Sequence, residues 1–324
     1  MTTLFTADIG GTHSRFGRFE AGADGSLVLI ETKWVPTKSA RSFSQLVGLL
    51  GAARGTLRPE DADCAVIAIA GPVERGVFSR PPFISWSIDI HRAQQALGSR
   101  RILLVNDFVA QAFACRTRAG EAAGPVLPGT ALPEAPIAAV GAGTSLGMAA
   151  LVPDGSGGYV AVPSEGGHAE FPFQGADEQR FREFLLEQRS GAFVPALAAV
   201  SGPGLSSIHQ FLTGEALGPE DVLAGLSSFS KTLEWASRFY GRVCRDFALA
   251  VAAQGGVYIA GGVAARAPAL ISHPSFAREF RTSPTMSGLL EGIPVFLMTD
   301  QESGLWGAAA YAMQVLRRES ERRA

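Results

Sequence analysis

Two apolar strands in this chain each break at a glycine-rich bend that carries a threonine, and this repeat constrains the fold more than any other feature. Leu4-Phe5-Thr6-Ala7 delivers Asp8 into Gly10-Gly11-Thr12, after which Arg15 to Phe19 resumes strand alternation. Ile137-Ala138-Ala139-Val140 enters Gly141-Ala142-Gly143-Thr144 in the same way, and Met148 to Val152 continues as a strand. Two strand-turn-strand units of one design predict an internally duplicated fold.

Between and after these units, strands alternate with helices. Ser42 to Leu50 reads as a helix, Ala65 to Ala70 as a continuous apolar strand ended by Gly71-Pro72, and Ile90 to Leu97 as a second helix. Ile102-Leu103-Leu104-Val105 is a short apolar strand that stops at Asn106-Asp107, ahead of a helix over 108–117. A loose stretch from Arg118 to Pro136, rich in Gly, Pro and Ala, separates the halves. Leu226 to Ala253 is a long helical region, and a last helix from Leu305 to about Leu316 packs back on the first half. The fold class is α/β, and 324 residues suffice for two domains. The expected division is a small α/β lobe over 1–110, completed by a C-terminal helix over 305–324, and a large α/β lobe over 111–304.

The formal net charge of −2 supplies no basic footprint for nucleic acid and no acidic tail, so a small molecule is the expected partner. Cys64, Cys115 and Cys244 are scattered, with no C-x-x-C pair, which argues against a disulfide framework or a zinc site and for a reducing compartment. No apolar run reaches the ~18 residues of a membrane span, and no basic start precedes an apolar stretch. The expected location is the cytoplasm, with no membrane partner.

Glycine turns let backbone N–H groups approach an anion closely, and a threonine hydroxyl adds a donor, so Gly10-Gly11-Thr12 and Gly141-Ala142-Gly143-Thr144 both suit phosphate. Each taken singly reads equally as a plain hairpin turn. Asp8 beside the first turn would be repelled by polyphosphate unless a cation lay between, which makes it a candidate for holding Mg²⁺ through the ion's water shell. Neither turn fits G-x-x-x-x-G-K-[ST], and no G-x-G-x-x-G follows the first strand, so P-loop and dinucleotide oxidoreductase chemistry are set aside.

Asn106-Asp107 closes an apolar strand at the end where ligands collect in open α/β sheets. Asp107 is suited to accept the proton of an alcohol undergoing phosphoryl transfer, and Asn106 to donate to and accept from a neighbouring hydroxyl. The pair reads equally as a helix cap. Ser164-Glu165-Gly166-Gly167-His168 sets a carboxylate and an imidazole three residues apart across two glycines, a loop able to turn both towards one polyhydroxyl ligand. A solvated loop is the alternative, and metal binding lacks further ligands nearby.

In their order, these motifs resemble the bacterial glucokinase family of the sugar kinase and actin superfamily, over nearly the whole chain. The matching segments are Asp8 to Thr12, Ala68 to Val73, Val105 to Phe108, Val140 to Thr144, Pro163 to His168, Ser201-Gly202-Pro203-Gly204, Tyr258 to Val263 and Ser303 to Gly307. The resemblance implies a two-lobe actin-like ATPase (ribonuclease H-like) fold with duplicated β-sheet cores and a cleft between the lobes, usually in a homodimer. It implies ATP and Mg²⁺ as cofactors and conversion of glucose to glucose 6-phosphate as the reaction. By the same resemblance Asp107 is the base for the 6-hydroxyl, and Asn106, Glu165 and His168 contact other sugar hydroxyls. Gly10, Gly11 and Thr12 with Gly141, Gly143 and Thr144 hold the phosphates, and Gly261 and Gly262 lie near the nucleoside.

The chain departs from the family pattern at three places. Leu197 stands where the family usually has a Glu that binds hydroxyls near the anomeric carbon, Pro81-Pro82-Phe83 replaces a Thr-Asn ahead of Trp86, and His13 replaces a common Asn. A sugar hydroxyl left unpaired by Leu197 costs about 1–3 kcal/mol. That penalty keeps open a kinase for a different hexose or an amino sugar, or a catalytically weak sugar sensor.

Overall fold

Every residue of strand β4 (Cys64–Ile69) is buried, because an unbroken apolar run takes a central place in a sheet covered on both faces. It lies parallel to β1 (Thr2–Ile9) on one side and to β8 (Ile102–Asn106) on the other. Hairpin strands β2 (His13–Ala21) and β3 (Leu27–Pro36) extend this sheet antiparallel, giving the order β3-β2-β1-β4-β8. Short strands β5 (Val73–Glu74), β6 (Phe78–Ser79) and β7 (Ile88–Asp89) form a separate antiparallel patch. This computed structural model describes residues 1–51, 55, 57–99, 101–189 and 191–323.

The chain divides into two units, Met1–Ala122 with Asp300–Ala324, and Ala123–Thr299. Helices α1 (Phe43–Gly48) and α2 (Ile90–Leu97) cover one face of the first sheet, where Phe5, Ala7, Phe16, Leu46, Ile67 and Leu97 share a core. Helices α3 (Asp107–Ala114), α4 (Arg118–Glu121) and α13 (Ser303–Arg323) belong to the same unit. The expected large lobe began at 111, yet α3 runs through that position. Gly307 of α13 has no side chain and meets the Ala110 carbonyl directly, so this stretch is welded to the first unit. The last helix also outruns the expected end near Leu316, since the Arg101 guanidinium forks onto the Glu319 carboxylate. Ala324, the end of the span first assigned to it, lies outside the described residues.

The second unit repeats the first. Strand β10 (Ile137–Ala142) pairs antiparallel with β11 (Leu146–Pro153) and parallel with β13 (Val257–Ala260). With β12 (Tyr159–Ser164) and β14 (Val295–Leu297) the order β12-β11-β10-β13-β14 reproduces that of the first sheet, as the paired motifs predicted. A sixth strand, β9 (Gly124–Leu127), pairs antiparallel with β14 inside the stretch expected to be loose. Its Gly-Pro start carries no strand propensity, so the pairing is imposed by the sheet edge and not by local sequence.

Around this sheet lie α5 (Gly175–Glu187), α6 (Gly202–Thr213), α7 (Pro219–Gly225), α8 (Ser230–Val251), α9 (Gly262–Arg266), α10 (Ala269–Ser272), α11 (Pro274–Arg281) and α12 (Ser287–Gly292). The long helix expected over Leu226–Ala253 resolves into a 3₁₀ turn at Leu226–Ser228 followed by α8. Within the core of this unit Phe181 stacks on Phe239, and Phe171 meets Phe239 edge-on. Arg242, only 1% exposed, joins Glu178 at 2.6 Å and Glu279 at 2.7 Å, tying α8 to α5 and α11.

Candidate active site

In the first unit, the site residues gather at the carboxyl ends of β1, β4 and β8, which run side by side and parallel. The hairpin from β1 to β2 turns through Gly10-Gly11-Thr12. The Gly10 N–H donates to the His13 carbonyl at 3.1 Å, and Thr37 holds the turn from beneath, its N–H on the Thr12 carbonyl at 2.9 Å and its hydroxyl on the Gly10 carbonyl at 2.7 Å. With the carbonyls so tied, the N–H groups of Gly11 and Thr12 meet no partner among the described residues, and Thr12 is exposed. Those are the donors an anion would find.

Asp8 precedes this turn and is 6% exposed. Arg15 lies directly opposite it in the hairpin and pairs with its Oδ2 at 3.2 Å, while the Arg15 guanidinium lies 4.3 Å from the Trp34 ring centroid. Burial raises the Asp8 pKa above the ordinary carboxylate value, and the Arg15 charge and hydrogen bond oppose that rise. Arg15 was legible in principle: a turn centred on Gly11 and Thr12 sets residue 8 against residue 15.

Asn106 ends β8 and caps α3, its Oδ1 accepting from the Phe108 N–H at 2.9 Å and its Nδ2 donating to the Gly71 carbonyl at 2.9 Å. The helix-cap reading is therefore what the fold displays, and one N–H and one lone pair of the amide are left for a ligand. Asp107 opens α3 and is half-buried, with Oδ1 accepting from the Phe108 N–H at 3.0 Å. Gly71 sits at φ +133°, and a Cβ there would stand 2.9 Å from Pro82 Cδ, so only glycine lets the Pro81-Pro82 segment close over the end of β4.

The second unit carries its own cluster at the matching edge, where β10, β12 and β13 all end. Gly143 accepts from the Gly202 N–H at 2.8 Å, which joins the start of α6 to the turn, and the Thr144 side chain is exposed. Gly261, at φ +89°, packs against the end of β10: a Cβ would come 2.7 Å from the Ala142 carbonyl. Gly141 is buried in β10, whereas Gly143 and Gly262 face open space. Thus Gly141, Gly143, Thr144, Gly261 and Gly262 lie together in this unit, with Gly141 in a supporting position.

Glu165 and His168 leave the end of β12 on a single 3₁₀ turn, with His168 Nε2 and Glu165 Oε2 3.8 Å apart and both side chains about half exposed. That spacing exceeds a hydrogen bond and allows one bridging hydroxyl to reach both. Gly167 meets the Leu146 carbonyl directly, seating this loop on the start of β11, next to the Gly143-Thr144 turn. Leu197 occupies the 3₁₀ turn Ala196–Ala198, half-buried, and the Ala196 N–H donates to the Ala169 carbonyl at 2.8 Å. Leu197 therefore adjoins the segment bearing Glu165 and His168.

Among the described residues no group of three or more His, Cys, Asp or Glu is placed to hold a metal ion. A magnesium ion would need ligands from water and phosphate, which is the ion's ordinary preference, with Asp8 acting through its water shell. No helix among the described residues is long and apolar enough to cross a membrane.

The sequence profile of the Glucokinase family matches residues 5–315. A glucokinase of Pectobacterium atrosepticum is 32% identical over 326 residues, covering 97% of this chain and 98% of the relative. A glucokinase of Nitrobacter hamburgensis is 32% identical over 322 residues, covering 95% and 97%. The crystal structure of a glucokinase from an Antarctic psychrotroph matches with a TM-score of 0.79 at 25% identity, over 96% of this chain and 98% of that one. A ROK family glucokinase from Streptomyces griseus, in complex with glucose and AMPPNP, shares the fold with a TM-score of 0.67 at 19% identity, over 96% and 99%. These likenesses agree with the duplicated two-lobe, actin-like α/β fold expected.

Proposed function

The chain belongs to the glucokinase family, and from that membership we propose that it transfers the γ-phosphoryl group of ATP to the 6-hydroxyl of glucose, yielding glucose 6-phosphate and ADP. The observation that carries this reading is the placing of Asp107 at the end of β8, two strands along one sheet edge from the Gly10–Thr12 turn. Strands lie about 4.8 Å apart, so the carboxylate stands roughly 10 Å from the turn, a span suited to a sugar hydroxyl and a terminal phosphate lying between them.

In this mechanism Asp107 accepts the proton of the 6-hydroxyl as that oxygen bonds to phosphorus and the bond to the ADP oxygen breaks. Asn106, through the polar capacity its cap leaves over, orients a neighbouring hydroxyl, and Glu165 with His168 holds others. Bound MgATP supplies the phosphoryl group and neutralises its developing charge. Within the first unit, the N–H groups of Gly11 and Thr12 and the Thr12 hydroxyl suit its phosphates; within the second, the Thr144 hydroxyl and the side-chain-free surface at Gly143 and Gly262 do. Asp8 would hold the ion's water shell. The proposal extends to a homodimer and to a cytoplasmic location, the latter in keeping with three free, buried cysteines.

The test is a coupled assay of ADP release with MgATP across a panel of hexoses and amino sugars. Glucose should give a KM in the low-millimolar range or better and the highest kcat/KM. No sugar-dependent release would reject kinase activity, and a clear preference for another sugar would transfer the role to the alternative that Leu197 raises.

A further inference from the structure

Phe83 is 44% exposed, yet the loop that carries it is held on every side. Trp86, 8% exposed, donates its indole N–H to the Ala40 carbonyl at 3.0 Å. The Ser79 hydroxyl donates to the Pro72 carbonyl at 2.7 Å. Pro81 is buried and, with Pro82, lies on Gly71, whose carbonyl accepts from Asn106. At the other flank, a Cβ added to Gly11 would stand 3.4 Å from Phe83 Cβ.

The Phe83 Cβ and backbone are therefore held beside the Gly10–Thr12 turn with the side chain half exposed, and the loop is braced on the end of β4, the strand between that turn and Asn106-Asp107. Exposing it to water forfeits apolar burial that a floppy loop would recover by folding inward. The proline-braced backbone prevents that, which keeps the ring presented at the sheet edge.

We infer that Phe83 is a specificity-determining residue that stacks its ring on the C–H face of the hexose bound before Asp107. The inference rests on the kinase reading above and deepens it. Hexopyranoses with equatorial hydroxyls present flat patches of C–H, and an aromatic ring covers such a patch while the hydroxyls remain free for polar partners. Galactose, the C4 epimer, carries an axial hydroxyl that interrupts one of those faces and leaves the other more apolar, so a ring there makes binding sensitive to the configuration at C4.

The experiment is calorimetric titration of the full chain with glucose and with galactose, for the parent, Phe83→Ala, Phe83→Leu and Phe83→Trp, alongside ADP-release kinetics. Phe83→Ala should raise the glucose Kd about threefold to tenfold, the range of one aromatic contact, and change the ratio of glucose to galactose affinity. The KM for ATP and the Tm should stay unchanged, because the side chain is half in solvent. Phe83→Trp should restore affinity, and Phe83→Leu should not. Unchanged glucose affinity in Phe83→Ala, full recovery with Leu, or a change confined to the KM for ATP would each overturn the assignment. A parent that binds glucose but releases no ADP would reject the kinase reading while leaving the stacking measurable; a parent that binds no hexose would overturn both.

Discussion

Gly304, in the first turn of α13, lies so near Asp8 that a Cβ added to it would stand 2.6 Å from the carboxylate Oδ2. The carboxylate is already paired with Arg15 and almost wholly buried, so it has nowhere to retreat. Gly304→Ala should therefore displace Asp8 from the phosphate turn. A displacement of about 1 Å near the reacting groups can cost on the order of a hundredfold in rate, so kcat should fall steeply while the glucose Kd holds. An alanine variant with parental kcat would show that Asp8 has room and that its position is not critical.

Cys64 has no exposed surface, and burial pushes its thiol pKa up to about 11 from the usual thiol value of 9.0. Because the folded chain retains this proton where the unfolded chain releases it, the contribution to stability is complete below about pH 9 and lost as pH rises towards 11. Urea titrations of the parent should show stability declining across that window by more than in Cys64→Ala. Parallel declines in the two proteins would contradict the linkage. Cys115 and Cys244 are likewise shifted upward by burial, so all three thiols should resist alkylation at neutral pH until the chain unfolds.

Arg242→Met should destabilise the second unit by about 3–5 kcal/mol, since it leaves Glu178 and Glu279 buried without their shared cation. Arg238 and Arg245 retain contacts with those carboxylates at 3.1 Å each and set the effect towards the lower end. Denaturant unfolding measures it, and a loss under 1 kcal/mol would mean the side arginines suffice.

The parts of this fold that were legible in sequence are those where one local signal had one physical solution. The apolar run at Cys64–Ile69 could only be a buried strand, and two glycine turns of one pattern marked both hairpins. Strand β9 was not legible, because Gly124-Pro125 pairs only where β14 offers an edge. The packing of Gly304 on Asp8 and of Gly307 on Ala110 was also hidden, since a glycine in a helix declares its neighbour only in three dimensions. The Asn106 amide, read equally as a ligand for a hydroxyl and as a helix cap, gives half of its hydrogen-bonding capacity to the Gly71 carbonyl and the Phe108 N–H.

Leu197 offers a test of specificity. Its turn is fastened to Ala169, next to the Glu165 and His168 loop. Leu197→Glu should restore an acceptor for a sugar hydroxyl and lower the KM for glucose about tenfold, within the range set by one buried polar partner. An unchanged or higher KM would mean that no sugar hydroxyl reaches this turn.

The central claim is that Asp107 takes the proton from the sugar. Steady-state ADP release by the parent and by Asp107→Asn, measured with saturating MgATP and glucose, addresses it directly. The amide keeps the size of the side chain and cannot act as the base, so kcat should fall by roughly 10²–10⁴-fold while calorimetric glucose affinity changes little. Comparable turnover in the two proteins would contradict the account.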